Sequence, residues 1–132
     1  MEPKHFLNFE KISNQEFVSI IERGIELKNS NETEKTLKGK ILGLVFEQPS
    51  TRTRVSFEVG INDLGGSSIF LSGSELQLSR GEPISDTAKV LSSMLDVIVL
   101  RTDNHEKLEI FSQNSSVPII NGLTNLFHPC QI

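Results

Sequence analysis

The sequence predicts an α/β fold, a three-layer α/β/α domain around a central four-stranded parallel sheet. Three observations carry that expectation. Four apolar runs of strand length alternate with helical patterns along the chain, the order that gives a parallel sheet covered on both faces. The 132 residues are the length of one globular unit. No internal repeat or linker divides them.

Each element has its own signal. Ser13-Asn14-Gln15-Glu16 is a capping box, and Phe17, Ile20, Ile21 and Gly24 follow at helical spacing, so a helix is expected over 13–28. The polar stretch 29–38 reads as a surface loop, and the charges from Glu22 to Lys38 as a solvated face. The run 40–46 is a buried strand, broken by Glu47-Gln48-Pro49-Ser50. A second helix spans 51–64 and ends at Gly65-Gly66, residues that tolerate the left-handed conformation a helix end requires. A strand follows over 67–71, then an aperiodic loop over 72–82. Pro83 suits the first turn of a helix reaching Met94. Val97–Leu100 is the third strand, Asp103 or Asn104 caps a helix over 105–113, and Val117–Ile120 is the fourth strand. Residues 122–127 read as a loop, and 128–132 as the opening of a helix, an ending that points to a fragment of a longer protein.

Composition narrows the function. A net charge of −4 and a pI near 5.4 offer no bulk attraction to nucleic acid or an acidic membrane. No apolar run approaches the roughly 20 residues of a membrane span, and the N-terminal residues lack the apolar stretch of a signal peptide. The lone Cys130 forms no internal disulfide, so a cytoplasmic location is expected. The sequons at Asn31 and Asn114 are read as chance matches.

In an open α/β sheet, ligands bind beyond the carboxyl ends of the strands. Those ends deliver Ser50–Arg54, the 72–82 loop, Arg101 and the stretch 121–131. Ser50, Thr51, Arg52 and Thr53 form the sharpest signal. Ser50 is an N-cap, the next amides are free donors at the positive end of a helix dipole, and Arg52 adds a planar fork. That set suits phosphate, although an ordinary cap with solvated arginines has the same letters. Arg101 follows a buried strand directly and is either functional or paired with Asp96 or Asp103. His128 would share a helical face with Gln131. Cys130 reads as a packing residue, and His5 and His105 as surface residues. No cluster has metal-ligand spacing, and neither a Walker A loop nor a dinucleotide-binding glycine pattern occurs.

Taken together, four ordered motifs resemble the aspartate/ornithine carbamoyltransferase family, in its ornithine branch. They are Phe46–Arg54, Gly81–Ala88, Arg101 after its strand, and Asn121–Gln131. The resemblance implies a carbamoyl-phosphate-binding domain over 1–132, with the amine-binding second domain absent. It implies that Ser50, Thr51, Arg52 and Thr53 hold phosphate, and that Arg101, His128 and Gln131 hold the carbamoyl group. Pro129 and Cys130 fall in the same binding segment. Arg52, Arg101 and His128 would be catalytic, and Gln77 would reach a neighbouring subunit's site in a homotrimer. Arg54 would support the loop rather than touch ligand. The implied reaction transfers the carbamoyl group of carbamoyl phosphate to L-ornithine, giving citrulline and phosphate in arginine biosynthesis, with neither metal nor cofactor. Aspartate enzymes share the Ser50–Arg54 segment but place a Ser and a Lys where this chain has Gln77 and Arg80. Aspartate or putrescine as acceptor, a non-catalytic phosphate-binding module, and a structural or regulatory protein are the alternatives.

Overall fold

The computed structural model describes residues 2–30, 34–73 and 83–131. Four strands, β1 (Ile41–Phe46), β2 (Ser67–Ser72), β3 (Val97–Arg101) and β4 (Ile119–Leu123), form one sheet in the order β2-β1-β3-β4. Every pairing is parallel. The helices are α1 (Asn14–Asn29), α2 (Thr51–Asp63), α3 (Ile84–Ser92) and α4 (His105–Gln113). The expected three-layer architecture is the observed one.

Strand alternation divides the core into two layers. Val45, Ile98, Leu100 and Ile119 point to the face covered by Ala88 of α3 and by Leu108 and Phe111 of α4. Leu42, Leu44, Phe46 and Val99 point to the other face, under Phe57 and Ile61 of α2. Because β1 and β3 are covered on both sides, they read as unbroken apolar runs rather than as alternating ones. Phe111 is fully buried, and truncating it to Ala would cost about 3–5 kcal/mol. On the α2 face, a cavity of about 480 Å³ remains between α2 and the strands, lined by Leu37, Leu42, Phe57, Ile61, Val97 and Ile120.

Helix α1 forms where expected, and two other segments depart from expectation. Helix α1 has the expected cap, with Ser13 Oγ accepting from Glu16 N at 3.1 Å, but none of its residues is buried. Its tether is an edge-to-face chain of rings, Phe17 on Phe9 and Phe9 on Phe6. Strand β4 begins and ends later than its apolar letters indicate. Leu100 pairs with Asn121 and Arg101 with Leu123, so Gly122 is an extra residue in a bulge. A Cβ on Gly122 would lie 2.8 Å from Val99 Cγ1. Residues 128–131 form a turn closed by Gln131 N on His128 O at 3.2 Å, not the start of a helix.

The N-terminal segment adds an edge that the sequence does not announce. Phe6 bridges Ile120 in parallel, with Phe6 N donating to Ile119 O and Asn121 N to Phe6 O, each at 2.8 Å. No helix among the described residues is long and apolar enough to cross a membrane.

Candidate functional site

The carboxyl ends of β1, β3 and β4 lie side by side, and the polar residues that follow them converge there. After β1, Ser50 caps α2, its Oγ accepting from Thr53 N at 3.3 Å. Thr51 and Arg52 stand exposed at the helix end, and Thr53 is half-buried. Gly65, at φ 93°, closes the other end of α2.

The arginines of this segment differ in their company. Arg54 pairs with Glu58 at 3.2 Å and stacks 3.6 Å above the Phe70 ring. Among the described residues, no carboxylate pairs with Arg52. Its guanidinium is a cation at a helix N-terminus with no counter-charge among the described residues, as an anion site requires.

Arg101 ends β3 and bridges the site. One of its Nη atoms donates to Gly122 O at 3.2 Å and approaches Thr53 Oγ1 at 3.5 Å. It pairs with neither acid considered from sequence. Asp96 instead accepts from Ile41 N at 2.8 Å, and Asp103 lies 3.9 Å from Lys107. Burial lowers the pKa of Arg101 from its ordinary value.

His128 completes the convergence. Burial is the first cause that lowers its pKa, and the charge of Arg101 is the second. Its ring is therefore neutral at pH 7. Among the described residues, three buried side-chain polar atoms lack a partner, and two of them are Arg101 Nε and His128 Nδ1. A buried polar group without a partner is destabilising by about 1–3 kcal/mol. Two of them at one strand edge mark a place shaped for a polar ligand.

The remaining residues of the 128–131 segment face differently. Pro129 is fully buried. Cys130 is exposed as a residue, but its sulfur turns inward to Asn121 O at 3.6 Å, and burial pushes the thiol up to about 11. Gln131 is exposed. With a turn in place of a helix, it does not share a helical face with His128. Gln77 and Arg80 lie outside the described residues.

Four supporting residues have no role assigned from the sequence, although Glu47 and Asn121 lie within the Phe46–Arg54 and Asn121–Gln131 motifs. Glu47 accepts from the Thr102 hydroxyl and pairs with Lys107 at 3.2 Å, and its N–H donates to Arg101 O at 2.9 Å. It thereby fixes the end of β1 against β3 and α4. His105, expected at the surface, is 6% exposed. Its Nδ1 meets Thr124 Oγ1 at 2.9 Å, its N–H donates to Asn125 Oδ1 at 3.0 Å, and its ring packs edge-on against Phe127. Thr124 Oγ1 already accepts from Leu126 N and Phe127 N, so its proton goes to His105 Nδ1, and the ring carries its own proton on Nε2, facing Glu109 at 3.6 Å. His5, also expected at the surface, is half-buried, and its Nδ1 accepts from Ile119 N at 2.9 Å. Asn121 is the fourth.

A parallel α/β sheet with a capped helix, an arginine that no described carboxylate pairs and two buried polar atoms without a partner among the described residues has the features of an anion-binding domain. Residues 4–132 match the family described as aspartate/ornithine carbamoyltransferase, carbamoyl-P binding domain, and the chain belongs to that family. It is 57% identical over 132 residues to an ornithine carbamoyltransferase of Methylococcus capsulatus, covering 100% of this chain and 44% of that one. An ornithine carbamoyltransferase of Acinetobacter baumannii is 52% identical over 132 residues, with 98% and 43% covered. The crystal structure of anabolic ornithine carbamoyltransferase from Campylobacter jejuni superposes with a TM-score of 0.93 at 45% identity, covering 97% of this chain and 42% of that one. The enzyme from Pyrococcus furiosus gives 0.90 at 41% identity, with 97% and 42% covered. The chain thus spans less than half the length of these relatives.

Proposed function

We propose that this chain supplies the carbamoyl phosphate site of an ornithine carbamoyltransferase. The observation that supports it most is the pair of unpartnered buried atoms, Arg101 Nε and His128 Nδ1, beside the Ser50-capped end of α2. In this reading the α2 amides, the hydroxyls of Ser50, Thr51 and Thr53, and Arg52 hold the phosphate. Arg101 and His128 hold the carbamoyl end, with Gln131 near its NH2 group.

The reaction then follows from charge. The neutral side-chain amine of L-ornithine attacks the carbamoyl carbon. A C–N bond forms, the bond between the carbamoyl carbon and the bridging oxygen breaks with its electron pair going to that oxygen, and phosphate leaves with the proton that the amine gives up. Negative charge grows on the carbonyl oxygen and on the leaving oxygens. Donors fixed in advance at those atoms lower the barrier, and loss of one costs about 10²–10³-fold in turnover. A neutral His128 donates a hydrogen bond without needing a proton from solvent. The amine is held by a second domain in this reading, and the assembly is a cytoplasmic homotrimer in which Gln77 completes a neighbour's site. Arginine biosynthesis is the setting.

Calorimetry with carbamoyl phosphate tests the site. Saturable binding by the chain, competed by inorganic phosphate, is expected, together with no citrulline formation from ornithine, because orientation of two reactants supplies several kcal/mol of the barrier. No binding at millimolar carbamoyl phosphate overturns the reading. Citrulline formation at a rate matching a two-domain relative overturns the assignment of the amine to a second domain. In longer chains that bear this sequence, mixing Gln77→Ala with Arg52→Ala subunits should restore some activity; exchanged hybrids without recovery count against a shared site.

A further inference from the structure

We propose that Asn121 is a positioning residue that sets the Phe127–His128 peptide, and with it the His128 ring, for the carbamoyl end of the ligand. The inference rests on the carbamoyl phosphate reading above. Asn121 is fully buried on β4, where a core strand otherwise calls for an apolar side chain. Its amide is used completely. One N–H of Nδ2 donates to Leu7 O at 2.9 Å and the other to Phe127 O at 3.2 Å, while Oδ1 accepts from Leu123 N at 2.9 Å. Its backbone N–H donates to Phe6 O, and its carbonyl receives the Cys130 thiol. One side chain therefore joins the N-terminal segment, the bulge of β4 and the residue before His128.

Two details make this more than core filling. Phe127 O is the carbonyl of the peptide bond that leads into His128; Thr124 N donates to it at 2.9 Å and Asn121 Nδ2 at 3.2 Å, so the Asn121 side chain is one of two bonds that fix the plane from which His128 departs. Leu123 takes φ 139°, a region that costs a side-chain-bearing residue of order 1–3 kcal/mol. The Asn121 Oδ1 bond to Leu123 N sits on that strained residue. The same bulge places Gly122 O against the Arg101 guanidinium. Asn121 thus bears on Arg101 through the bulge and on His128 through the loop. It makes no contact with Ser50–Thr53.

That asymmetry gives the test. Asn121→Asp keeps the size and turns two donors into acceptors facing carbonyls. Asn121→Ser keeps a small polar group that cannot span the gap. Carbamoyl phosphate and inorganic phosphate are titrated by calorimetry into the 132-residue chain and each variant, and the His128 ring is titrated by NMR without ligand. We expect about tenfold weaker carbamoyl phosphate binding, inorganic phosphate binding changed by less than about threefold, and a displaced His128 midpoint. Equal loss for both ligands means a general structural role and overturns the proposal, as does an unmoved His128 midpoint. Failure of both variants to fold overturns it too, because Asn121 is then a core element. A parent chain that binds neither anion sinks the carbamoyl phosphate reading, and the ring titration, which needs no ligand, then decides only whether Asn121 positions the His128 ring.

Discussion

The two halves of the candidate site are built in opposite ways. The α2 end is local. Ser50 caps the amide three residues on, Arg54 binds the carboxylate four residues on, and Arg52 is left free by the same short segment. The 121–131 half is assembled over long sequence separations. Its fixings come from Leu7, His105 and Arg101, and β4 reaches it through a bulge. A site that must hold two ends of one small molecule thus combines a rigid, self-sufficient anchor with a part whose geometry depends on the whole fold.

The sharpest way to break this contrast is at the anchor. Arg52→Ala removes a charged donor that no carboxylate among the described residues pairs, so carbamoyl phosphate affinity should fall about 30-fold or more, the loss of a charge-assisted hydrogen bond of about 2–3 kcal/mol. Arg54→Ala should stay within about threefold, because its guanidinium is occupied by Glu58 and Phe70 and an exposed pair of this kind contributes about 0–1 kcal/mol. Calorimetry decides. Equal losses at both positions remove Arg52 as the direct ligand.

The long-range half should fail through the fold. His105→Ala deletes the acceptor for the Thr124 hydroxyl and the ring under Phe127. A loss of about 2 kcal/mol in urea unfolding is expected, from one buried hydrogen bond and lost ring packing. Carbamoyl phosphate affinity should weaken with it while phosphate affinity holds. If stability is unchanged, the His105 fastening is not what holds the loop.

Legibility followed the same division. Cap spacing, strand length and helix ends depend on neighbours within four residues, so α2, α4 and the Ser50 cap are legible in the sequence. The burial of His5 and His105 is not, because a lone histidine carries no local sign of burial. Their partners lie 114 and 19 residues away. The late end of β4 is not legible because Gly122 looks like a turn, although close approach to Val99 in a bulge also demands glycine. Helix α1 shows the limit of a local signal. Its apolar spacing is real, yet no residue of it is buried, since periodicity states which face is apolar and not what covers it.

A smaller effect probes the anchor's independence. Ser50→Ala removes the cap on Thr53 N and should lower stability by about 1 kcal/mol. Because the cap is local, amide exchange should quicken in the first turn of α2 and leave 124–131 unchanged. Quickened exchange in both regions would mean that the halves are coupled.

The smallest expected effect is on pH dependence, and it belongs to the long-range half. Burial lowers the pKa of His5 and of His128. For His5 the nearby charge of Lys11 adds to that lowering, while the Ser112 backbone bond and Glu2 oppose it. The unfolded chain takes up these protons near pH 6.5, about the ordinary histidine value, and the folded chain only at lower pH. Between those points the unfolded state binds more protons, so stability rises with pH there. The contribution is full above about pH 6.5 and is lost as pH falls to the folded values. Beside burial, the geometry at His5 also disfavours the protonated ring, because Nδ1 accepts from Ile119 N and protonation would turn that acceptor into a donor facing a donor. The ring is only half-buried, and solvent screening keeps the effect small. Hydrogen exchange, corrected for the intrinsic rate, should show Phe6 N and Asn121 N losing protection from pH 7 to pH 5 before the β1 amides do. His5→Phe should remove the larger part of that early loss and leave the share due to His128. An unaltered profile in His5→Phe would show that the N-terminal segment is held by its backbone bonds to Ile119 and Asn121 alone.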